Sequence, residues 1–420
     1  MKKFAYAFLL LGAFTLHSCG SDDDAPPPVA EVDEENPTAP ANLELILSDE
    51  TAITLSWDAA TDNVGVTSYT LFQDGVQAQE NIIGTTTVIS GLTPETTYSF
   101  YVIALDDAGN QSDPSANINA STAITFKNSL SQMGVFSVIS EDLIPATGVQ
   151  LYELNTTLFT DYAQKQRLIR LPEGTTLTPN GNDLLPNFPD NTLIAKTFFY
   201  NIDDRDPSLG RQIIETRIFL KIAGQWQAAD YIWNENQTEA TYTTNGSTTP
   251  ISYIDENGDT QNVDYQIPSQ QDCFTCHNND NSTLPIGLKL RSLNFVPSYA
   301  NQNQLDFLVS QGILEGVNSG SVSVLPDWTD TATYSLDERA RAYLDVNCAH
   351  CHQPGGSAPN GFDIDFRLET PFEDTGIYPN RGEIEVRFQS TLPTYRMPQL
   401  GRTVVHEEAL DMLIEYIDAL

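Results

Sequence analysis

Apolar and polar residues alternate along much of the chain with the period of two that is typical of β-strands. Between residues 42 and 122 the alternating runs are short and are separated by turn signals such as Asp74-Gly75, which predicts a β-sandwich. Between residues 127 and 270, the runs TLIAKTFFYNI, QIIETRIFLKI and AADYIWNENQ predict further strands, and YIDENGDTQNV predicts a hairpin around Asn257-Gly258. The chain is therefore predicted to be β-rich up to about residue 270.

The pattern changes to helical spacing in the last part of the chain. Residues 301–314 predict one amphipathic helix, and Ser335 followed by Glu338 predicts a capping box at the start of another. The last segment, VVHEEALDMLIEYIDAL, has apolar residues at helical spacing, namely Leu410, Leu413, Ile414 and Ile417. These segments predict an all-α C-terminal region.

The N-terminus predicts export. Two lysines precede an apolar run from Phe4 to Leu16, which is too short to span a bilayer, and residues 1–18 are therefore predicted to be a signal peptide. LHSC, ending at Cys19, resembles the lipobox of bacterial lipoproteins, which implies a lipid anchor on Cys19 in the outer membrane, facing the cell surface. An ordinary signal peptide with an incidental cysteine is the alternative. Residues 19–40, rich in Pro and acidic residues, predict a disordered tether.

Charge limits the choice of partners. The chain has 20 basic and 57 acidic side chains, a formal net charge of −37. No Lys or Arg occurs between residues 19 and 126. Because such a surface repels nucleic acid, a nucleic-acid-binding function is excluded; the acidity suits a salty medium or a cationic partner.

The candidate chemistry lies in the cysteines, of which the chain has five. Apart from Cys19, they form two C-x-x-C-H motifs: Cys273, Cys276 and His277, then Cys348, Cys351 and His352. A disulfide framework leaves the histidines unexplained, a four-cysteine zinc site needs closer spacing, and a redox dithiol needs a thioredoxin-like context. The motif is the one that attaches c-type haem through two thiols, with the histidine on the iron. We therefore predict two covalently attached haem c groups, with His277 and His352 as iron ligands.

Haem iron usually takes a sixth ligand, and methionine is common in electron-transfer cytochromes. Met397, in the irregular segment YRMPQLG, is predicted to be this ligand for the second haem, whereas Met412 is predicted to pack in the core. The segment 278–347 contains neither Met nor His. For the first haem, a weak ligand, a five-coordinate iron, or a ligand from elsewhere therefore all stay open, and the candidates from elsewhere are His350, His406 and Met133.

Three parts of the chain resemble known families. LSWDAATDNVGVTSYTLFQDG and GLTPETTYSFYVIALDDAGNQS resemble a fibronectin type III module over about residues 38–122, with Trp57 as its core tryptophan and Tyr98 in its tyrosine corner. Residues 335–420 resemble a class I cytochrome c. LYELNTTLFTDYAQKQRLIRLPEG and YLDVNCAHCHQPGG are similar to an uncharacterised family of predicted di-haem c-type cytochromes, over roughly residues 130–420. That resemblance implies one composite unit.

These observations predict a multidomain protein: a fibronectin type III β-sandwich, a second β-rich domain and an all-α class I cytochrome c domain. The predicted boundaries are 41–122, 127–270, 271–334 for the first haem-binding segment, and 335–420. The predicted function is electron transfer by a membrane-anchored, exported di-haem cytochrome with an unknown redox partner protein. Two alternatives stay open: a di-haem peroxidase or oxidase with an open first haem, and an adhesive surface lipoprotein.

Overall fold

The computed structural model describes residues 33–181, 185–358 and 364–420. The predicted signal peptide, Cys19 and the first part of the predicted tether lie outside the described residues. Within the part of the chain that is described, no helix is long and apolar enough to cross a membrane.

The N-terminal unit is a sandwich of two antiparallel sheets, as predicted. One sheet has the strands β1 Ala41–Ser48, β2 Ala52–Asp58 and β5 Thr86–Ser90, and the other has β3 Val66–Gln73, β4 Val76–Ile82, β6 Thr97–Asp106 and β7 Ile118–Ser121. Trp57 is 4% exposed and meets Tyr69 edge-on, with ring centroids 5.4 Å apart. The hydroxyl oxygen of Tyr98 accepts a hydrogen bond from the Thr93 N–H at 2.9 Å, which fixes the corner before β6.

A six-stranded antiparallel meander follows, and it contains the strands predicted between residues 127 and 270. Its strands in chain order are β8 Val149–Tyr152, β9 Gln164–Arg170, β10 Leu193–Asn201, β11 Arg211–Ile222, β12 Gln225–Trp233 and β13 Ala240–Thr243. Each strand pairs with its chain neighbours, so the sheet order is the sequence order. The hairpin predicted around Asn257-Gly258 is also present, as β14 Ser247–Ile254 and β15 Thr260–Ile267.

The two faces of the meander pack differently. Residues 124–143 cover one face, where Leu130, Met133 and Phe136 join a single apolar core. The other face carries two separate apolar clusters: one faces the helical segment after residue 270, and the second faces the β14–β15 hairpin. The sheet therefore acts as the platform on which the cysteine-containing segments lie.

The described residues include six α-helices, all after residue 269. They are α1 Gln270–Cys276, α2 Leu290–Leu293, α3 Gln304–Ser310, α4 Leu336–Asn347, α5 Ile377–Gln389 and α6 Glu407–Asp418, and the short strands β16 Asn278–Asn279 and β17 Ser282–Thr283 follow α1. The helix predicted over 301–314 is shorter than expected, because Asn303 caps its start and Gly312, with φ +70°, turns the chain just beyond its end. The capping box of Ser335 and Glu338 is confirmed.

Residues 335–420 contain α4, α5 and α6, whose apolar side chains share one core with Met412 inside it, as predicted for that methionine. This packing does not by itself show a class I cytochrome c fold, and the described chain as a whole is mostly β. The core is tied to the meander through Asp161, whose carboxylate accepts hydrogen bonds from the N–H groups of Thr403 and Val404.

Candidate cofactor-binding site

The first C-x-x-C-H motif lies on a short helix against the meander. Ser269 and Asp272 form a capping box at the start of α1, and the Gln270 side chain donates to the Ala228 carbonyl of β12 at 2.7 Å. Cys273 is buried at 7% exposure, while Cys276 ends the helix and is partly accessible. The sequence predicted no long helix before this motif, and in the structure both cysteines lie within the short helix α1.

His277 follows the helix and is held in a defined orientation. Its Nδ1 lies 2.8 Å from the carbonyl oxygen of Leu284, and its ring centroid is 4.4 Å from that of Phe219 on β11. If Nδ1 donates to that carbonyl, Nε2 is left as the free ligand atom, the arrangement usual for a metal-bound histidine. Burial, followed by the nearby charge of Lys196, holds the pKa of His277 well below its usual range, so the ring is neutral.

The second motif starts where α4 ends. The N–H groups of Cys348 and His352 donate to the carbonyls of Leu344 and Cys348 at 2.9 and 3.0 Å, so the chain turns tightly through the motif. The ring of His352 meets Phe366 edge-on at 5.3 Å. Among the described residues, the buried Nδ1 of His352 has no hydrogen-bond partner. A buried polar atom of this kind calls for a partner.

A cavity of about 290 Å³ joins the predicted ligands of the second haem. Cys348, Cys351, His352 and Met397 all line it, although Met397 is 45 residues after His352 in the chain. Its remaining walls are mostly apolar and include Leu344, Ile364, Phe366, Ile384 and Phe388. Sulfur and imidazole donors in an apolar cavity suit a haem with His and Met ligands.

Arg402 positions the Met397 segment, a role that the sequence did not reveal. This arginine is 1% exposed, and its guanidinium donates to the carbonyls of Phe388 and Met397 at 2.8 and 2.9 Å. The Met397 N–H donates to the Arg387 carbonyl at 3.0 Å. The end of α5 and the methionine are therefore fixed to each other by one buried cation.

A second cavity, of about 540 Å³, lies at the first motif. Cys276 and His277 line it together with the apolar side chains of Phe188, Trp226 and Leu284 and the charged side chains of Lys289 and Asp345. Two residues, Cys276 and His350, line both cavities. The two predicted haem sites are therefore neighbours.

The segments that directly follow the two motifs also contact each other. The Asp280 N–H donates to the Gly355 carbonyl at 2.8 Å, and the Asn279 side chain donates to the Pro354 carbonyl at 3.0 Å. Gly355 is required here: it has φ +77°, and a Cβ at this position would lie 2.6 Å from the carboxylate of Asp280. No feature of the sequence predicted this contact across 75 residues of chain.

Cys276, His350 and Cys351 form a compact group between the cavities. One possible ligand atom from each lies within 4.8 Å of the others. A hydrogen bond from Cys276 lowers the pKa of Cys351 to about 3, and the same contact raises the pKa of Cys276. All four motif cysteines are free of disulfides, so the thiols remain available for attachment.

The structure separates the three residues considered as a distant ligand for the first haem. Met133 is buried on the opposite face of the meander, where its sulfur accepts from the Lys127 N–H at 3.3 Å. His406 is stacked on Phe159 at 4.1 Å, and its Nδ1 lies 2.9 Å from the Tyr343 hydroxyl. His350 lines the cavity that contains His277, and its buried Nδ1 has no partner within the described chain.

Comparison with known proteins identifies the N-terminal sandwich. The family model described as "Fibronectin type III domain" matches residues 38–121. Residues 38–121 are a fibronectin type III module. The predicted module, including the core position of Trp57, is confirmed.

Curated relatives match the chain over a stretch of about the length of this module. Chitinase A1 of Niallia circulans is 45% identical over 96 residues, which is 23% of this chain and 14% of the relative. Chitinase Chi52 of Paenibacillus xylanexedens is 40% identical over 104 residues, 25% of this chain and 19% of the relative. The chain therefore spans less than a fifth of the length of each relative. These matches support an extracellular location.

Solved structures also match about a fifth of the chain. A fibronectin-type-III-like protein from Clostridium thermocellum is 22% identical, with a TM-score of 0.19, covering 22% of this chain and all of that protein.

The comparisons contradict the predicted function. The relatives include chitinases and an alpha-amylase, which are carbohydrate-active enzymes, so the predicted electron-transfer function of the chain is wrong. The adhesive alternative agrees better with these relatives. The roles of the two C-x-x-C-H motifs and the identity of a bound cofactor stay predictions, because the matched stretch is only about a quarter of the chain.

Proposed function

We propose that this chain is an exported adhesive protein whose fibronectin type III module binds an extracellular polysaccharide. The observation that carries the proposal is the 45% identity to a chitinase over a stretch of the module's length. The outer face of the larger sandwich sheet offers a suitable surface. There Phe72 and Tyr101, on neighbouring strands, stack with centroids 4.7 Å apart and planes 7° apart. Both rings are partly exposed.

Stacked aromatic rings on a flat sheet suit a polysaccharide because the apolar face of a sugar ring packs well against a π-surface. Ile103 and Leu105 extend the same face along β6, next to Tyr101. The surface is otherwise acidic and contains no basic residue from 33 to 126, so attraction to an anionic polymer is excluded. A neutral polysaccharide is therefore the proposed ligand class, and chitin is the first to test.

The test is co-sedimentation of the full chain with insoluble chitin and cellulose. Truncating an aromatic anchor, Tyr101→Ala or Phe72→Ala, is expected to weaken binding about tenfold. Tyr378→Ala is the matched control, because Tyr378 is 50% exposed on α5, outside the module. If Tyr101→Ala binds the polysaccharide as well as the unchanged protein does, the ligand does not bind at this surface. If the unchanged protein does not sediment with either polysaccharide, the module does not bind them and acts as a spacer.

We also propose that the two motifs attach two haem c groups. The support is the single cavity that contains Cys348, Cys351, His352 and Met397, together with the oriented His277 in the cavity beside it. A bound haem supplies an iron centre whose chemistry is tuned by its axial ligands and its burial. His350 is the proposed sixth ligand at the first site. A haem spectrum that is unchanged in His350→Ala would exclude this ligand and leave a weak ligand or a five-coordinate iron.

The haem proposal predicts a stoichiometry that can be counted. A pyridine haemochrome assay of the exported protein is expected to give two haems, and alanine at both cysteines of either motif is expected to give one. Met397→Ala should remove a sulfur-to-iron band in the near infrared, whereas Met412→Leu, in the apolar core, should keep it. A count of zero in the exported protein would exclude covalent haem.

Lipid anchoring through Cys19 is the remaining part of the proposal. The support is the lipobox-like LHSC after an apolar run. Cys19→Ser is expected to release the protein from the membrane fraction, because one acylated residue would provide the anchor. If the protein is on the cell surface, protease added to intact cells should degrade it. If it stays intact while a known surface protein is cleaved, it lies on the inner side of the outer membrane.

A further inference from the structure

Two thiols and one imidazole meet between the two cavities, and we call Cys276, His350 and Cys351 the thiol–imidazole group. One possible ligand atom from each residue lies within 4.8 Å of the other two. Cys276 and His350 line both cavities, and Cys351 lines the cavity that contains Met397. All three residues are partly buried, so the group can be reached from the cavities and is shielded from bulk water.

The members of this group come from both motifs. Cys276 belongs to the first motif and Cys351 to the second, 75 positions further along the chain. Spacing along the chain argues against a compact zinc site of four cysteines. The fold removes that objection for a smaller site, because it brings one cysteine of each motif next to the same histidine.

The arrangement is held by the protein's own backbone. The Asp280 N–H, in the segment after the first motif, donates to the carbonyl of Gly355, in the segment after the second. Gly356 then passes close over the second motif, where a Cβ would lie 2.3 Å from the carbonyl oxygen of Cys351. These contacts involve no cofactor, so the thiols of Cys276 and Cys351 are adjacent in the haem-free chain, where they share a hydrogen bond.

The imidazole of His350 has an unused ligand atom. Its Nδ1 is buried and has no hydrogen-bond partner among residues 33–181, 185–358 and 364–420. Buried polar atoms without a partner are rare in native proteins, and each calls for an ion, a water molecule or a ligand. A metal ion bound at this nitrogen would satisfy it.

The donor set selects a thiophilic cation. Thiolate and imidazole are the ligands that zinc prefers in proteins. Two sulfurs bound to one tetrahedral zinc at about 2.3 Å lie about 3.8 Å apart, which agrees with ligand atoms that lie within 4.8 Å of one another. Two thiolates also balance the charge of Zn²⁺, so the complex places no net charge in this partly buried position.

We propose that Cys276, His350 and Cys351 bind one Zn²⁺ ion in the haem-free chain. On binding, the two thiols release their protons to the solvent, and the fourth tetrahedral position is left to water. This inference goes beyond the haem proposal and does not rest on it. Metal and haem exclude each other at these sulfurs, because a cysteine attached to haem as a thioether no longer provides a thiolate.

The first test is a titration of the full chain, produced without haem and kept reduced, with Co²⁺ as a coloured substitute for Zn²⁺. One equivalent of Co²⁺ is expected to produce a sulfur-to-cobalt charge-transfer band, and one equivalent of Zn²⁺ to remove it. Cys276→Ser and Cys351→Ser should each halve the band and weaken binding at least about tenfold, whereas His350→Ala should weaken binding and keep the band. Absence of the band in the unchanged chain overturns the proposal.

Cysteine alkylation locates the metal without any substitution, so it does not depend on whether the variants fold. Zinc should protect Cys276 and Cys351 from N-ethylmaleimide, as measured by tandem mass spectrometry. Cys348, which is also partly accessible, is the internal control and should react equally with and without zinc. Protection of Cys348 together with Cys351, or of Cys273 together with Cys276, would place the metal within one motif and contradict the proposal.

The results for zinc and for haem can be told apart. Exported protein with two haems should not develop the cobalt band, and a band of full strength in that protein would show that these sulfurs are not the ligands. A haem count of zero, together with the band and the protection of Cys276 and Cys351, would refute the haem proposal and leave the zinc site standing. Two haems in the exported protein without a band in the haem-free chain would overturn the zinc site alone.

Discussion

Arg291 and Asp345 form a buried ion pair that fixes the two motif segments together. Arg291 lies on α2 in the first haem-binding segment, Asp345 lies on α4 just before Cys348, and their side chains are 2% and 1% exposed. Lys289 and Glu369 extend the network at 2.9 Å each. This network therefore joins the first motif segment to the helix that precedes the second motif, in addition to the contact of Asp280 with Gly355.

Asp345→Asn is expected to cost about 3 kcal/mol in the free energy of unfolding, because it removes the buried carboxylate that both Lys289 and Arg291 bind and leaves Arg291 with only the partly exposed Glu369. The control is Glu383→Gln, which removes the exposed helical pair with Arg387 and should cost about 0.5 kcal/mol or less. Denaturant titration measures both. Equal effects of the two substitutions would contradict the importance of the buried pair.

The same pair predicts a dependence on pH. Burial alone would raise the pKa of Asp345, but Lys289 and Arg291 outweigh it and hold the pKa below the usual value. A carboxyl with a lowered pKa stabilises the fold above its unfolded value, about pH 4, and this contribution is lost as pH falls through the folded value. The stability difference between the unchanged protein and Asp345→Asn should therefore be constant above about pH 5 and shrink below about pH 4.

At the scale of elements, both motifs depend on short helices with well-formed starts. Ser335 accepts from the Glu338 N–H, and Glu338 accepts from the Ser335 N–H in return. The same box, of Ser269 and Asp272, starts α1. Short helices have little intrinsic stability in water, so these caps and the tertiary packing determine whether the motifs are held in place.

Ser335→Ala is expected to lower the free energy of unfolding by about 1 kcal/mol through the loss of the cap. The matched control is Ser252→Ala on an exposed position of β14, where no cap is lost. Thermal unfolding measures both variants. If Ser335→Ala destabilises the protein no more than Ser252→Ala does, the cap does not contribute to the stability of α4.

At the scale of the whole molecule, the fibronectin type III module has its own core. Its buried residues form a separate cluster around Trp57, and its contacts to the meander include the Lys127–Glu50 ion pair and a hydrogen bond from Asn191 to the Thr122 carbonyl at 3.2 Å. The segments after residue 123 contact one another through, for example, Asp161 with Thr403 and Glu153 with Gln304.

The full chain is therefore expected to unfold in two transitions. Trp57→Ala should lower only the transition of the module, by about 3 kcal/mol or more, because it opens a cavity in a closed core. Calorimetry resolves the two steps, and Leu413→Ala in the C-terminal core should shift only the other step. One transition shifted by both variants would show that the module and the remainder fold together.

The local features of this protein can be predicted from the order of its residues alone. The strand pattern located the sandwich, the hairpin and the meander strands β10, β11 and β12, because residues facing a core recur at every second position of a strand, whereas β8, β9 and β13 were not predicted. Caps located the start of α4, and the spacing C-x-x-C-H singled out the six candidate attachment residues. Alternation, caps and motif spacing depend only on residues that are close in sequence, so they can be recognised without a structure.

Contacts between distant parts of the chain became visible only in the folded structure. It placed Met397 in one cavity with His352, assigned Met133 to the far face of the sheet, and brought Cys276 next to Cys351. Lys196 meets Arg167 and Arg217 only because β9, β10 and β11 pair in one register, and a shift of one residue in a strand would move its side chain to the other face. Contacts of this kind depend on how strands and helices pack, which the period of a single segment does not encode.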